Sequence, residues 1–364
     1  MKIIFSFLLF CSFLIFTSCT DKNKPVQIEF KNYSKVLSVA FLYNKEEFSS
    51  ERVEEYQEVL AEKLNKKIKL KFFESEIESL ETNINNILEN NYNIIIIGSN
   101  NYEYNKKIID LSKEQIAIFS PTNFEELANK SSFIFGLSDL ESIKTLVNYF
   151  LYSKNHSRFF FLLPEEYSTK EIQDKMQIFL SPKSGIRYRF FYYNLNTINR
   201  NFKTISRLID KQNSHLEKTS IIILGKKLQF NEIFSVASMF GLEKKAVISG
   251  THNSDINFDL NFSITFAGLA SLLNAKDDNY YLFNDDEYNK FLFHDIALLI
   301  NEVLLKNSNI MLENNFLQSF LDHLNSNNFY LDLGKTNFKN SIAVRKYSII
   351  KKTDGVYNIL WSNY

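Results

Sequence analysis

Cysteine is nearly absent from this 364-residue chain; Cys11 and Cys19 are the only two. Both lie near the N-terminus, so the remainder has no thiol for a disulfide framework, a Cys-ligated metal or a thiol nucleophile. Glycine (9) and proline (4) are scarce too. Charge of one sign is also lacking: 42 basic residues balance 42 acidic ones, giving neither a nucleic-acid footprint nor a polyanionic tail. No G-x-S-x-G, H-E-x-x-H, G-x-x-x-x-G-K-[ST] or G-x-G-x-x-G occurs. The five histidines (His156, His215, His252, His294, His323) do not pair at metal-ligand intervals. His294-Asp295 could form an acid/base or metal pair, but adjacent helical residues point about 100° apart, which favours a structural role. No cofactor is indicated, and an enzyme is not expected.

What is present begins at the N-terminus. Lys2 precedes Ile3 to Phe16, a 14-residue apolar core of signal-peptide length and too short for a comfortable membrane span. It runs into Phe16-Thr17-Ser18-Cys19, which resembles the lipobox of bacterial lipoproteins, with Phe16 where Leu is usual. That resemblance implies cleavage before Cys19 and a lipid on Cys19; an ordinary signal peptide and an uncleaved anchor are the alternatives. Residues 1–18 then form the signal peptide and the polar stretch 19–34 a tether.

From Lys35 the chain alternates strands and helices. Val36–Tyr43, Ile68–Phe73, Asn93–Ile97, Gln115–Phe119, Phe133–Phe135, Arg158–Leu163, Ile186–Tyr193, Ser220–Leu224, Ala246–Ser249 and Phe262–Phe266 read as strands. Helical spacing marks 52–64, 75–88, 140–150, 197–211, 228–240, 285–305 and 314–324. The Arg and Tyr residues of 187–193 fit a sheet face better than a stacking platform. Ser341–Ile350 and Val356–Trp361 alternate around Asp354-Gly355, a hairpin signal. Four capping boxes, at Ser75, Thr122, Ser138 and Ser168, each follow a strand and open a helix. The order specifies a mostly parallel α/β architecture in two lobes, with strand ends and helix N-termini gathered where ligands bind. The stretch Ser132–Glu166, read as strand, capped helix and strand, is expected to carry the chain from the first lobe into the second.

Several segments resemble the type I periplasmic-binding-protein fold, and within it the penicillin-binding-protein activator lipoproteins, with branched-chain amino-acid receptors as cousins. Val36–Tyr43 resembles the opening strand, and Phe135–Glu141 the entry to the second lobe. Phe160–Tyr167, Phe234–Gly241, Gly250-Thr251, Thr265–Ala267, Phe293–Ala297 and Asn337–Tyr347 match later segments. The resemblance implies lobe 1 over 35–136 plus about 268–312, and lobe 2 over 137–267 plus about 313–364. It implies a non-catalytic, lipid-anchored protein of the bacterial cell envelope that binds and regulates a peptidoglycan synthase. The alternative is a solute receptor feeding an ABC permease, with an amino-acid-like or other small ligand between the lobes; a surface scaffold is a third. Nucleic acid is not an expected partner. A ligand carboxylate would meet the caps near Ser120, Thr122 and Ser138, with Tyr43, Asn44, Ser99, Tyr167 and Thr251 on the walls. The Gly-rich loops of amino-acid receptors are largely missing here, which weakens a small-amino-acid site.

Overall fold

Strand β3 (Ile94–Gly98), Ile-Ile-Ile-Ile-Gly, is buried along its whole length, as a run without polar alternation requires. It pairs in parallel with β1 (Ser38–Asn44) on one side and β4 (Ala117–Ser120) on the other. β2 (Lys69–Ser75) and β5 (Ser132–Ile134) extend the parallel set outward. The structure is a computed structural model. It describes residues 36–65, 68–165, 167–211, 217–225, 230–251, 264–274, 279–280, 285–306, 316–353 and 356–362. The expected signal peptide, Cys19, the tether, His215, His252 and the Asp354-Gly355 turn lie outside these residues.

Both faces of the first sheet are covered. Helices α1 (Ser50–Lys63), α2 (Leu80–Glu89) and α3 (Tyr102–Ser112) connect its strands. On one face Ile84, Ile87, Tyr104 and Ile108 pack against Ala40, Leu42, Ile95 and Ile97. On the other, Tyr56 of α1 meets Phe293, from a long later helix, edge-on with ring centroids 4.8 Å apart, and Phe41 lies 5.2 Å from Phe293.

The second sheet holds β6 (His156–Pro164), β7 (Arg187–Tyr193), β8 (Lys218–Ile223), β9 (Val247–Gly250) and β10 (Ile264–Gly268). Helices α4 (Asp139–Asn148), α5 (Tyr167–Leu180), α6 (Ile198–Lys211) and α7 (Phe230–Met239) flank it. A short pair, β11 (Leu273–Asn274) and β12 (Asn279–Tyr280), precedes α8 (Asp285–Lys306) and α9 (Phe316–Ser326). Three antiparallel strands follow, β13 (Asn328–Leu331), β14 (Gly334–Lys339) and β15 (Ile342–Arg345). Next come β16 (Ser348–Thr353) and β17 (Val356–Ser362), which pair antiparallel; of the expected first hairpin arm, 341–350, only 348–350 takes part. The two large sheets run β13-β14-β15-β5-β4-β3-β1-β2 and β17-β16-β10-β9-β8-β6-β7.

Two expectations meet corrections. Strands β13 to β15 join the first sheet, not the second lobe as expected for 313–364; only 348–362 return to the second sheet. The cause is packing: Phe338 stands 5.0 Å from Phe133, and Ile342 sits in register with Ile134. The apolar run 341–350 is thereby two strands in two sheets, split at Lys346-Tyr347. As expected, Ser132–Glu166 forms strand, capped helix and strand and leads from one sheet to the other, since β5 and β6 lie in different sheets. It is a crossing between lobes.

Three chain crossings join the sheets: one at 135–138, one between β10 and α8, and one at 346–347. Side chains tie them together. Arg345 Nη1 donates to the Phe135 carbonyl at 2.7 Å, with its guanidinium 4.6 Å from the Phe135 ring centroid. Tyr347 donates its hydroxyl proton to the Ser138 carbonyl at 3.0 Å, and Leu137 N–H donates to the Tyr288 hydroxyl at 3.0 Å.

Candidate functional site

A cleft of about 320 Å³ opens beside these crossings. The turn after β4 supplies Thr122, Asn123, Glu125 and Glu126 to its wall. Gly136, Leu137 and Asp139 come from the first crossing, and Glu171 and Lys175 from α5. Tyr288 of α8 closes one side.

The local sequence explains the placement. Ser138 caps α4, accepting from Glu141 N–H at 3.2 Å, as its capping box requires. The other boxes behave differently. Ser75 ends β2, and its hydroxyl donates to the Glu76 carbonyl while α2 starts at Leu80. Thr122 opens only a 3-10 turn, Glu125–Leu127, and pairs with the Ser120 hydroxyl at 2.8 Å. Ser168 falls inside α5.

Of the expected cleft residues, Thr122 lines this cleft and Ser138 stands between two residues that do. Asn44, Ser99 and Ser120 are buried in a polar network under the strand ends. Ser99 donates its hydroxyl proton to Glu47 Oε1 at 2.5 Å, Asn100 N–H donates to Glu47 Oε2 at 2.8 Å, and Asn44 Nδ2 donates to Glu47 Oε1 at 2.8 Å. Ser120 donates to Asn105 Oδ1 at 2.8 Å. Tyr43 turns toward β2, where its hydroxyl donates to Glu74 at 3.3 Å. Thr251 is buried just past β9, and Tyr167 begins α5. Sequence reasoning missed Glu47, Glu125 and Lys175. Glu125 enters the sequence reading only as the last position of the Thr122 box; the Glu47–Ser99, Glu125–Ser138 and Lys175–Glu125 contacts span 52, 13 and 50 residues, so no local pattern shows them.

Electrostatically the cleft wall is acidic. Burial pushes the Glu126 carboxyl above its ordinary range, and the Glu171 and Glu125 charges add to that. Burial works against the Lys175 ammonium, but Glu171 at 2.9 Å and Glu125 at 3.3 Å outweigh it and raise its pKa. Burial likewise raises the Tyr288 hydroxyl, leaving it a neutral hydrogen-bonding group.

The His294-Asp295 pair has a structural place. His294 Nδ1 lies 2.7 Å from Asp332 Oδ2, and Asp295 accepts from the backbone N–H of Asp332 at 2.8 Å and of Leu333 at 3.2 Å. Ligand atoms of His294, Asp295 and Asp332 fall within 4.8 Å of one another. Both Asp295 oxygens are engaged by those amides, which fix the turn between β13 and β14 to α8. No described helix is long and apolar enough to cross a membrane.

Two lobes of mostly parallel sheet, joined by three crossings beside a cleft, define the class: this is a type I periplasmic-binding-protein-like fold. In particular, the chain is similar to an ABC transporter substrate-binding protein of Desulfitobacterium hafniense solved with Leu. That likeness has a TM-score of 0.63 and 15% identity over 89% of this chain and 99% of the other. It is also similar to the C-domain of LpoA from Haemophilus influenzae, a regulator of PBP1A. There the TM-score is 0.61 with 11% identity over 89% of this chain and 99% of that one. An uncharacterized protein of Rickettsia prowazekii is 24% identical over 363 residues, covering 96% of each chain. No family model matches. At these identities the solved structures share the architecture, and they include both solute-binding proteins and a regulator.

Proposed function

We propose that this is a non-catalytic, lipid-anchored protein of the bacterial cell envelope that works by binding a partner protein, a peptidoglycan synthase, and regulating it. The observation that carries the reading is the state of the donors at the first-sheet strand ends. The Ser99 hydroxyl, the Asn100 N–H and the Asn44 amide, which could take a ligand carboxylate, hold the chain's own Glu47 instead. A receptor for amino acids would keep such groups open. The lipobox-like 16–19 stretch, with Cys19 as the lipid site, and the likeness to the LpoA C-domain support the same reading. Affinity capture with the full-length protein in detergent extracts is expected to recover a peptidoglycan synthase reproducibly. Recovery of none at low or physiological salt would sink the proposal.

The second reading, a receptor delivering a small solute to an ABC permease, is favoured by the cleft volume. About 320 Å³ falls at the lower end of the range of small-molecule sites. A thermal-shift panel of amino acids, peptides, sugars and nucleosides separates the two. A ligand present at 100 times its Kd adds about 2.7 kcal/mol, roughly 4 °C for a body of this size. The expected result is no shift of that size; a reproducible one assigns the cleft to a solute.

A further inference from the structure

Glu125 sits on the 3-10 turn after β4 and thus belongs to the first sheet. Its contacts belong to the second. The Ser138 hydroxyl, at the N-cap of α4, donates to Glu125 Oε1, and Lys175 Nζ of α5 lies 3.3 Å from Oε2. Both helices flank the second sheet, and Ser142 of α4 also reaches the Ala267 carbonyl of β10 at 3.4 Å. A second polar bridge spans the gap nearby, where Asn123 Nδ2 donates to Asp139 Oδ2 at 2.8 Å. The Glu125 side chain is only 16% exposed and Lys175 is 37% exposed, so solvent screens the pair incompletely. One carboxylate therefore occupies both the cap hydroxyl at the end of the first crossing and an ammonium of the opposite lobe, beside the cleft.

We propose that Glu125 is a built-in ligand: a carboxylate supplied by the chain itself bridges the two lobes and holds them together, and opening requires its release. In a two-lobed binding protein, closure ordinarily comes from a solute that touches both lobes and stabilises the closed state by its differential contacts. Here those contacts are covalently part of the first lobe, so the closed state needs no solute. The consequence is a default state set by one side chain, whichever partner the protein binds. Glu171 marks the contrast. It pairs with the same Lys175 at 2.9 Å but stands on the same helix, α5, and bridges nothing.

The test compares Glu125→Ala with Glu171→Ala in the full-length protein by hydrogen exchange and small-angle scattering. Exchange is read at the Gly136 and Leu137 amides, which bond to the Thr122 carbonyl and the Tyr288 hydroxyl at the first crossing. Glu125→Ala is expected to speed exchange there by about tenfold and to enlarge the radius of gyration, from loss of charge-assisted bonds. Glu171→Ala should leave both near wild type. Lys175→Met, which removes the other half of the bridge, should reproduce Glu125→Ala. Raising salt from 0.15 to 1 M should move the wild type toward the variant while the variant stays put. Cooperative melting of each variant checks that it is folded. Equal behaviour of the Glu125 and Glu171 variants, or hinge exchange of Glu125→Ala within twofold of wild type, would overturn the proposal.

Discussion

Gly136→Ala will destabilise the protein by about 3 kcal/mol or more, a large effect for adding one methyl group. A β-carbon at Gly136 would lie 2.3 Å from the Thr122 carbonyl oxygen, 2.5 Å from its carbon and 2.8 Å from the Pro121 oxygen. These are backbone atoms of the turn after β4 and cannot swing aside as a side-chain tip could. The Gly136 N–H donates to that same Thr122 oxygen at 3.0 Å, so relieving the clash also breaks a buried hydrogen bond. Alanine would normally gain up to about 1 kcal/mol by restricting the unfolded chain, which is too little to offset this. Urea unfolding of the variant measures the loss. Gly185→Ala is the internal comparison. Gly185 has φ +76° and nothing within 4 Å of a β-carbon, so that substitution should cost only about 1 kcal/mol of backbone strain. If the two variants lose equal stability, the close approach at the first crossing is not what requires glycine there.

The position of Gly136 also shows what could be read from residues alone. Its neighbour Ser138 carries a box whose hydroxyl and carboxylate positions are three apart, and that local rule sufficed to place α4. The four isoleucines of β3 were legible for the same reason: the signal and its cause lie within one element. Helix α3 was not legible. Its inward residues include buried Asn105 along with Tyr104 and Ile108, and its cap is Asn101, accepting from Tyr104 N–H at 3.0 Å without the box pattern. Strands β13 and β14 turn at Leu333-Gly334, where Gly334 has φ +102°. Their assignment to the first sheet depends on Phe338 finding Phe133, about two hundred residues away. The cleft failed to show in the sequence for a related reason. Hydroxyls at strand ends could be named from position, but which two of the 42 acidic residues occupy them, Glu47 and Glu125, is set only in three dimensions. Whether a cap faces a ligand or the chain's own Glu47 is decided by tertiary contact.

Asp295 gives the second large effect, and a pH dependence with a definite sign. The residue is fully buried on α8, and burial raises its carboxyl to about 7. The nearby Arg345 cation and the N–H groups of Leu333 and Asp332 pull the other way, while the Asp332 charge adds to the rise. A raised folded-state pKa means the folded protein binds this proton more tightly than the unfolded chain does. Stability is therefore greatest below the unfolded value of 3.8 and is lost as pH rises toward about 7, by at most roughly 4 kcal/mol. His156 acts in the opposite direction. Burial lowers it to about 4, so its contribution is present above 6.5 and is lost as pH falls toward 4. Asp295→Asn removes the first dependence and keeps an amide oxygen to accept from the Asp332 and Leu333 N–H groups. Between pH 5 and 7.5 its melting temperature should change with pH less steeply downward than that of the wild type. Asp295→Ala leaves the buried Leu333 N–H and the partly buried Asp332 N–H without their acceptor, and should cost about 2–4 kcal/mol at every pH in that window. A wild-type curve whose slope between pH 5 and 7.5 is unchanged by Asp295→Asn would show that the carboxyl titrates near its ordinary value and that the α8 contact to the β13–β14 turn is made by the ionised form.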